Sequence, residues 1–170
     1  MKRILGFDVG DRTIGVSVSD ELGITAQGVG VYKRASWPAD LTYVKQLLAR
    51  YKAAAIVVGL PKNMDGSIGP QAQKTLAFIE RLGRSCSVPV IAWDERLTTQ
   101  QAERVLLAGD ASRKRRKRVR DQIASQLILQ AYLEWRSRQG EAQGSAAGLV
   151  PQDTRRGAHD DEMGQPDPDQ

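Results

Sequence analysis

The chain has 170 residues, 41% of them apolar and 26% charged, which fits one globular domain and excludes a wholly disordered, collagen-like or coiled-coil protein. One cysteine excludes an internal disulfide, and no signal peptide or run of about 20 apolar residues is evident, so we expect a cytoplasmic protein without membrane contact. The net charge of +5 indicates an anionic partner, most commonly nucleic acid.

The first part of the chain predicts three antiparallel strands. Residues 3–9 alternate between two faces, and a second alternating run carries Ile14, Val16 and Val18. A third run lies around residues 29–32. Because the links between these runs are short, we expect an antiparallel meander.

Helices and strands then alternate along the chain. Hydrophobic spacing predicts, in order, a helix over about 41–51, a buried strand at 54–59, a helix around 76–82, a buried strand at 88–93, a helix from 98 to about 107 and a helix from 119 to 138. Parallel strands joined by crossover helices and added to the meander give an α/β fold: a mixed five-stranded sheet covered by helices on both faces.

The C-terminal segment differs from the rest in composition. From Glu141 onward it holds seven acids and two arginines, with many Gly, Pro, Gln and Asp residues. We therefore predict a folded domain over residues 1–139 and a disordered acidic tail over residues 140–170. The domain alone then carries most of the positive charge, which strengthens the expectation of an anionic partner.

Acidic residues are predicted to gather at one edge of the sheet. Asp8 ends the first strand, and Asp94 and Glu95 follow the last. Asp121 shares the predicted apolar stripe of the final helix, which holds Ala124, Leu127, Ile128, Ala131, Tyr132 and Trp135. Sites in such sheets form at the carboxyl ends of parallel strands. Each acid alone also fits a turn or helix-cap role. Together they predict a site in which carboxylates hold divalent cations, two of which can clamp a phosphodiester.

A dense basic run directly precedes Asp121. Its seven cations in eight positions predict contacts with phosphates, although a solvated loop is the usual alternative for such runs. The loop over residues 59–70 joins a strand end to a helix start, which suits a phosphate but also an ordinary connection. The full set predicted to bind nucleic acid is Arg12, Lys62, Asn63, Arg96, Arg113, Lys114, Arg115, Arg116, Lys117, Arg118 and Arg120.

Four sequence blocks resemble the YqgF/RuvX family of bacterial nucleases, within the RNase H-like superfamily, over about residues 2–137. The blocks are Gly6-Phe7-Asp8-Val9-Gly10 with Arg12 and Ile14-Gly15-Val16, Val58-Gly59-Leu60-Pro61 with Asp65-Gly66-Ser67, Asp94-Glu95-Arg96-Leu97-Thr98-Thr99, and Asp121 before Ile123-Ala124-Ser125 and Leu127-Ile128-Leu129. The resemblance implies an RNase H-like fold and metal-dependent cleavage of phosphodiester bonds.

By position, the resemblance makes Asp8, Glu95 and Asp121 the catalytic, metal-binding carboxylates, with Asp94 as an alternative to Glu95. It implies Mg²⁺ or Mn²⁺ as cofactor, with two ions bound. RNase H-like nucleases often carry an acid at the end of the strand beside the first, where this chain has Gly59-Leu60.

The same resemblance implies trimming of the 5′ end of pre-16S rRNA, with Holliday-junction resolution as the alternative. Pre-rRNA and a four-way DNA junction thus both remain as partners, and the protein as monomer or homodimer. Two other functions are considered: a non-catalytic RNA-binding assembly factor, and a nucleotide-binding protein, since residues 8–16 also resemble the first phosphate loop of actin-like kinases.

Overall fold

A computed structural model describes residues 2–98 and 113–143, and within the second range the side chains of residues 120 and 123–140. The strands are β1 (Ile4–Val9), β2 (Thr13–Ser19), β3 (Ala26–Lys33), β4 (Ala55–Leu60) and β5 (Val90–Asp94). The helices are α1 (Trp37–Tyr51), α2 (Pro70–Ser85) and α3 (Arg113–Gln143). Within these ranges, no helix is both long and apolar enough to cross a membrane.

All five strands form one sheet in the order β3-β2-β1-β4-β5. The first three strands pair antiparallel, while β4 lies parallel to β1 and β5 parallel to β4. Helices α1 and α2 cover one face and α3 covers the other. The predicted mixed five-stranded sheet with helices on both faces is therefore confirmed.

Alternation along β1 divides the core between the two faces. Leu5, Phe7 and Val9 belong to the buried cluster under α1 and α2, whereas Ile4 belongs to the cluster under α3. Asp8 follows the same alternation and lies on the α3 face. The side-chain period of two thus delivers a carboxylate to one face and an apolar side chain to the other at the carboxyl end of β1.

Helix α3 approaches the sheet closely at Gly6. A Cβ on Gly6 would lie 2.7 Å from Leu129 Cβ and 3.2 Å from the Ser125 carbonyl oxygen. From the neighbouring strand, Ser17 Oγ donates a hydrogen bond of 2.8 Å to that same carbonyl oxygen. Glycine at one position and a small hydroxyl at the other therefore fix where α3 crosses the sheet.

This close approach corrects the predicted face of α3. The buried residues are Ser125, Ile128, Leu129, Tyr132 and Leu133, whereas Trp135, placed in the predicted stripe, is 46% exposed. The inward face is therefore rotated by about 100°, one residue of helix. The cause is that the Ser125 carbonyl accepts a hydrogen bond from Ser17. Since Ser125 is small, the helix lies close enough to the sheet for Leu129 to pack against Gly6.

Helix α3 and strand β5 also differ from the predictions. Helix α3 starts at Arg113 rather than residue 119, because Lys and Arg are good helix formers, and it continues through Gln143. Strand β5 is not a fully buried strand: it lies at the sheet edge, where Trp93 is buried, Ala92 is exposed and the other residues are partly buried. The helix predicted from 98 to about 107 and most of the predicted tail lie outside the described residues.

Candidate active site

The carboxyl ends of β1 and β4 lie side by side. The parallel register pairs Phe7 with Val58, so Asp8 and Gly59 are the next residues along the two strands. Strand β5 ends beside β4, with Asp94 opposite Leu60. A 3₁₀ turn (Glu95–Leu97) then begins immediately, which keeps Glu95 near the end of β4. The acids at the carboxyl ends of β1 and β5 therefore reach the same edge, as the sequence predicts.

Glu95 occupies the space that a side chain on Gly59 would need. A Cβ built on Gly59 would lie 2.5 Å from Glu95 Oε1 and 3.1 Å from Glu95 Cγ. The same Cβ would lie 2.5 Å from Cδ1 of Ile128 on α3. The half-buried Glu95 carboxyl is thus placed over the end of β4, on the face covered by α3 and towards Asp8.

The electrostatics of this edge favour a bound cation. Burial, and next the negative charges of Asp8 and Asp94, raise the pKa of Glu95 to about 7, against an ordinary value of 4.5. Like charges held together in a partly buried place are costly unless something positive compensates them. Carboxylate oxygens are also the ligands that Mg²⁺ and Mn²⁺ prefer.

Asp94 points to a different set of partners. Its carboxylate accepts hydrogen bonds from the backbone N–H and the guanidinium of Arg96, the shortest being 2.7 Å to Nη2, and Lys62 Nζ lies 4.0 Å away. The hydrogen bond from the Arg96 side chain is the main reason that the pKa of Asp94 lies below its ordinary value. Asp94 thus caps the 3₁₀ turn that carries Glu95, while Glu95 faces Asp8.

The third predicted carboxylate, Asp121, belongs to α3. It lies four residues before Ser125 and seven before Ile128, so helical periodicity predicts that it shares their face, although its side chain lies outside the described part. Among the described residues, no group of three or more His, Cys, Asp or Glu side chains is arranged to hold a metal ion. Asp8 and Glu95 supply two oxygen donors that fit Mg²⁺ or Mn²⁺, and the third donor stays a prediction.

The residues predicted to bind nucleic acid fall into four groups. Lys62 and Arg96 meet at Asp94, beside the site. The Asn63 amide donates to Ser67 Oγ at 2.8 Å, so it holds its own loop together. Arg12 and Arg120 are exposed. The side chains of the other predicted cations lie outside the described part: Arg113, Lys114, Arg115, Arg116, Lys117 and Arg118.

The positional role of Gly59 is not evident from the sequence. Sequence reasoning marks Gly59 as the place where an expected acid is missing, whereas the structure shows a side chain from β5 filling that place. A glycine inside a continuous run of buried β-branched residues is itself a signal of close approach by another group. Ser17, whose hydroxyl helps to set the position of α3, carries no such signal, because a polar residue between Val16 and Val18 also fits the solvent face of an alternating strand.

The chain is similar to known proteins over most of its length. A protein of Halothermothrix orenii with the name "Putative pre-16S rRNA nuclease" is 52% identical over 136 residues, covering 80% of this chain and 97% of that protein. A protein of the same name from Symbiobacterium thermophilum is 51% identical over 135 residues, covering 79% and 94%.

Among solved structures, Thermus thermophilus RuvC in complex with a Holliday junction substrate has a TM-score of 0.48 at 18% identity, covering 79% of this chain and 96% of that chain. The fowlpox virus Holliday junction resolvase has a TM-score of 0.46 at 17% identity, covering 78% and 99%. The family model described as "RuvX: Holliday junction resolvase" matches residues 2–135. The chain belongs to the RuvX family.

Proposed function

We propose that this chain is a metal-dependent endonuclease that processes the 5′ end of pre-16S rRNA in the cytoplasm. The observation that carries the proposal is that Glu95 extends over Gly59, beside the end of β1 that bears Asp8, and the negative charge of Asp8 contributes to the raised pKa of Glu95. The name carried by the relatives at about 50% identity supports the choice of nuclease and of substrate.

In this proposal Asp8, Glu95 and Asp121 hold Mg²⁺ or Mn²⁺, with two ions bound. When bound, such ions activate water and stabilise negative charge on the leaving 3′ oxygen. The protein itself binds and orients the strand. Gly59 leaves room for Glu95 to reach Asp8, and Asp94 fixes the turn from which Glu95 extends.

The cations have a separate part in the proposed function. Lys62 and Arg96 stand beside the carboxylates, and the basic run of residues 113–120 forms the start of α3, the helix that carries Asp121. Lysine and arginine at these places neutralise backbone phosphates without reading base sequence. Selectivity would therefore come from the shape of the substrate.

A second candidate function is Holliday-junction resolution, which the description of the matching family favours. A resolvase cuts two strands symmetrically and therefore requires a homodimer, whereas a processing enzyme acts as a monomer equally well. Substrate choice and oligomeric state together distinguish these two functions.

The test is cleavage of end-labelled substrates by the full chain with Mg²⁺, Mn²⁺ or EDTA. The substrates are a pre-16S leader fragment, a single-stranded RNA and a four-way DNA junction. We expect metal-dependent cutting of the leader fragment that Asp8→Asn abolishes. Glu21→Gln removes the same charge from an exposed acid far from the site and serves as the matched control.

Preferred cutting of the DNA junction would instead assign the resolvase function. If no substrate is cut and tight, salt-sensitive RNA binding is retained in Asp8→Asn, the nuclease proposal is wrong and a non-catalytic RNA-binding factor replaces it. Calorimetric titration of Mn²⁺ gives a readout independent of turnover: binding to the wild type should be lost in Asp8→Asn and kept in Glu21→Gln.

A further inference from the structure

A second concave site lies on the opposite face of the sheet from the carboxylates. It is a cavity of about 330 Å³ at the carboxyl end of β1, and its lining residues come from the β1–β2 turn, Arg34, the start of α1 and one face of α2. This volume is at the lower end of the range of about 300–1,000 Å³ for small-ligand sites. The proposed cleavage reaction does not use this cavity.

The charged groups that line the cavity favour an anion. They are Arg34, Lys74, Arg81 and Asp11. Arg34 is committed to the buried Asp40 at 2.8 Å and to the Gly10 carbonyl at 2.9 Å. Lys74 pairs with Asp11 at 3.1 Å, but both side chains are 62% exposed, so this pair is weak and Lys74 can turn to a phosphate.

Arg81 is the cation available to a ligand. Its guanidinium lies 4.3 Å from the centre of the Trp37 ring, and in the described part of the chain it forms no ion pair. Trp37 is held in turn by an edge-to-face contact with Phe78, with ring centres 5.8 Å apart. Guanidinium planes and aromatic rings are the surfaces on which single-stranded bases stack, and the guanidinium also binds phosphate.

The cavity is close to the proposed cleavage site. Asp8 and Val9 are consecutive residues of β1 and point to opposite faces of the sheet, and Val9, Gly10 and Asp11 line the cavity. Two residues of extended chain span about 7 Å, so a strand crossing the sheet edge at Gly10 reaches both places. Gly10 has no side chain to obstruct that path.

We propose that this cavity is a subsite for one nucleotide of the substrate strand, adjacent to the nucleotide at the carboxylates. Arg81 and Lys74 bind its phosphate, and its base stacks on the layer formed by Arg81 and Trp37. The identification of the ligand as part of the substrate strand rests on the proposed function. The binding of a nucleotide in this cavity does not. A free nucleotide offers the same chemistry as a strand, so the test separates the two sources.

The test measures binding of a labelled single-stranded RNA to the full chain in EDTA, where no cleavage takes place. Arg81→Ala should weaken binding about tenfold and reduce the slope of log affinity against log salt by about 0.7, the value for one phosphate contact on a single strand. Arg84→Ala is the matched control, since Arg84 lies one turn further along α2 and pairs with Glu80. It should leave both quantities at the wild-type value, and thermal unfolding verifies that both variants are folded.

Two outcomes would overturn the inference. Equal losses in Arg81→Ala and Arg84→Ala would mean general attraction to a basic surface rather than a built subsite. If adenosine 5′-monophosphate binds at this site at least as tightly as the RNA and loses affinity in Arg81→Ala, the occupant is a free nucleotide and not a strand. If no substrate is cleaved but RNA binding still depends on Arg81, the nuclease proposal is wrong and the subsite is supported.

Discussion

Glu95 lies over Gly59, with its Oε1 only 2.5 Å from the point where a Cβ of that glycine would stand. This relationship explains how the site has two converging carboxylates although β4 ends without an acid. The side chain of a residue after β5 extends back across β4 and fills the place beside Asp8. A glycine in one strand and a longer acid after the next together replace an acid at the end of β4.

Gly59→Ala should therefore damage both the site and the core. The new methyl group meets Glu95 and Ile128, so we expect a loss of about 1–3 kcal/mol of stability and loss of metal binding. Urea denaturation and Mn²⁺ titration measure the two effects. Gly83→Ala is the control, because Gly83 lies in α2 and a Cβ there would meet no described atom within 4 Å beyond its chain neighbours and its own helix backbone. It should stabilise the protein by about 0.5–1 kcal/mol.

The raised pKa of Glu95 makes stability depend on pH. Its folded-state pKa of about 7 exceeds the ordinary 4.5, so the folded protein holds the proton more tightly than the unfolded chain. The sign follows: in EDTA the free energy of unfolding should fall as pH rises from about 4.5 to about 7, by at most about 3 kcal/mol from this group. Urea denaturation at a series of pH values measures the fall.

Two further results check the assignment of that pH dependence to Glu95. In Glu95→Gln the decline over this pH range should disappear, and the variant should be more stable than the wild type at pH 8. Saturating Mg²⁺ should restore wild-type stability at pH 8, since a ligand of the folded state stabilises it. An unchanged decline in Glu95→Gln would show that another group titrates.

Adjacent acids should respond differently to the same chemical change. Glu95→Gln should abolish metal-dependent cleavage and Mn²⁺ binding, because its carboxylate faces Asp8. Asp94→Asn weakens the cap and the contact with Arg96, so it should cost about 1 kcal/mol of stability and retain Mn²⁺ binding. Calorimetry measures Mn²⁺ binding and urea denaturation measures stability in both variants. Loss of Mn²⁺ binding in Asp94→Asn alone would reverse the roles assigned to the pair.

Ser17→Ala tests how α3 is held. The substitution removes a buried donor from the Ser125 carbonyl, so we expect a loss of about 1 kcal/mol. Cleavage activity at a temperature well below the midpoint of unfolding should fall as well, because the hydrogen bond holds α3, and Asp121 belongs to that helix. Thermal unfolding and cleavage rates measure the two effects. If Ser17→Ala lowers stability but keeps full activity, this hydrogen bond stabilises the fold without positioning the site.

The sequence predicts the sheet well because each strand repeats its pattern over several residues. Alternation in β1 and the continuous apolar run in β4 determine both the pairing and the face on which Asp8 lies. The rotation of α3 could not be predicted in this way. It depends on the contact of Ser125 with Gly6 and Ser17, residues that are far apart in sequence and lack a periodic signal.

Of the candidate site, the sequence predicts that Asp8 and the Asp94–Glu95 pair reach one edge, because the carboxyl ends of parallel strands meet there. It favours Glu95 with Asp94 as the alternative, but the separate roles of the two acids depend on the 3₁₀ turn and on the hydrogen bonds from Arg96, which the sequence does not show. The cavity beside Arg81 and Trp37 is equally invisible in the sequence, as its walls come from three separate segments.

The contact of α3 with the sheet at Ser125 determines how far from that contact the basic N-terminal end of the helix lies. With a rise of 1.5 Å per residue, Arg113 begins about 18 Å along the helix axis from the point where Ser125 touches the sheet. The spacing between the basic end and the sheet edge is therefore set by helix geometry. One residue inserted between Arg120 and Ser125 would lengthen that spacing by only about 1.5 Å but turn the whole basic segment by about 100° around the axis.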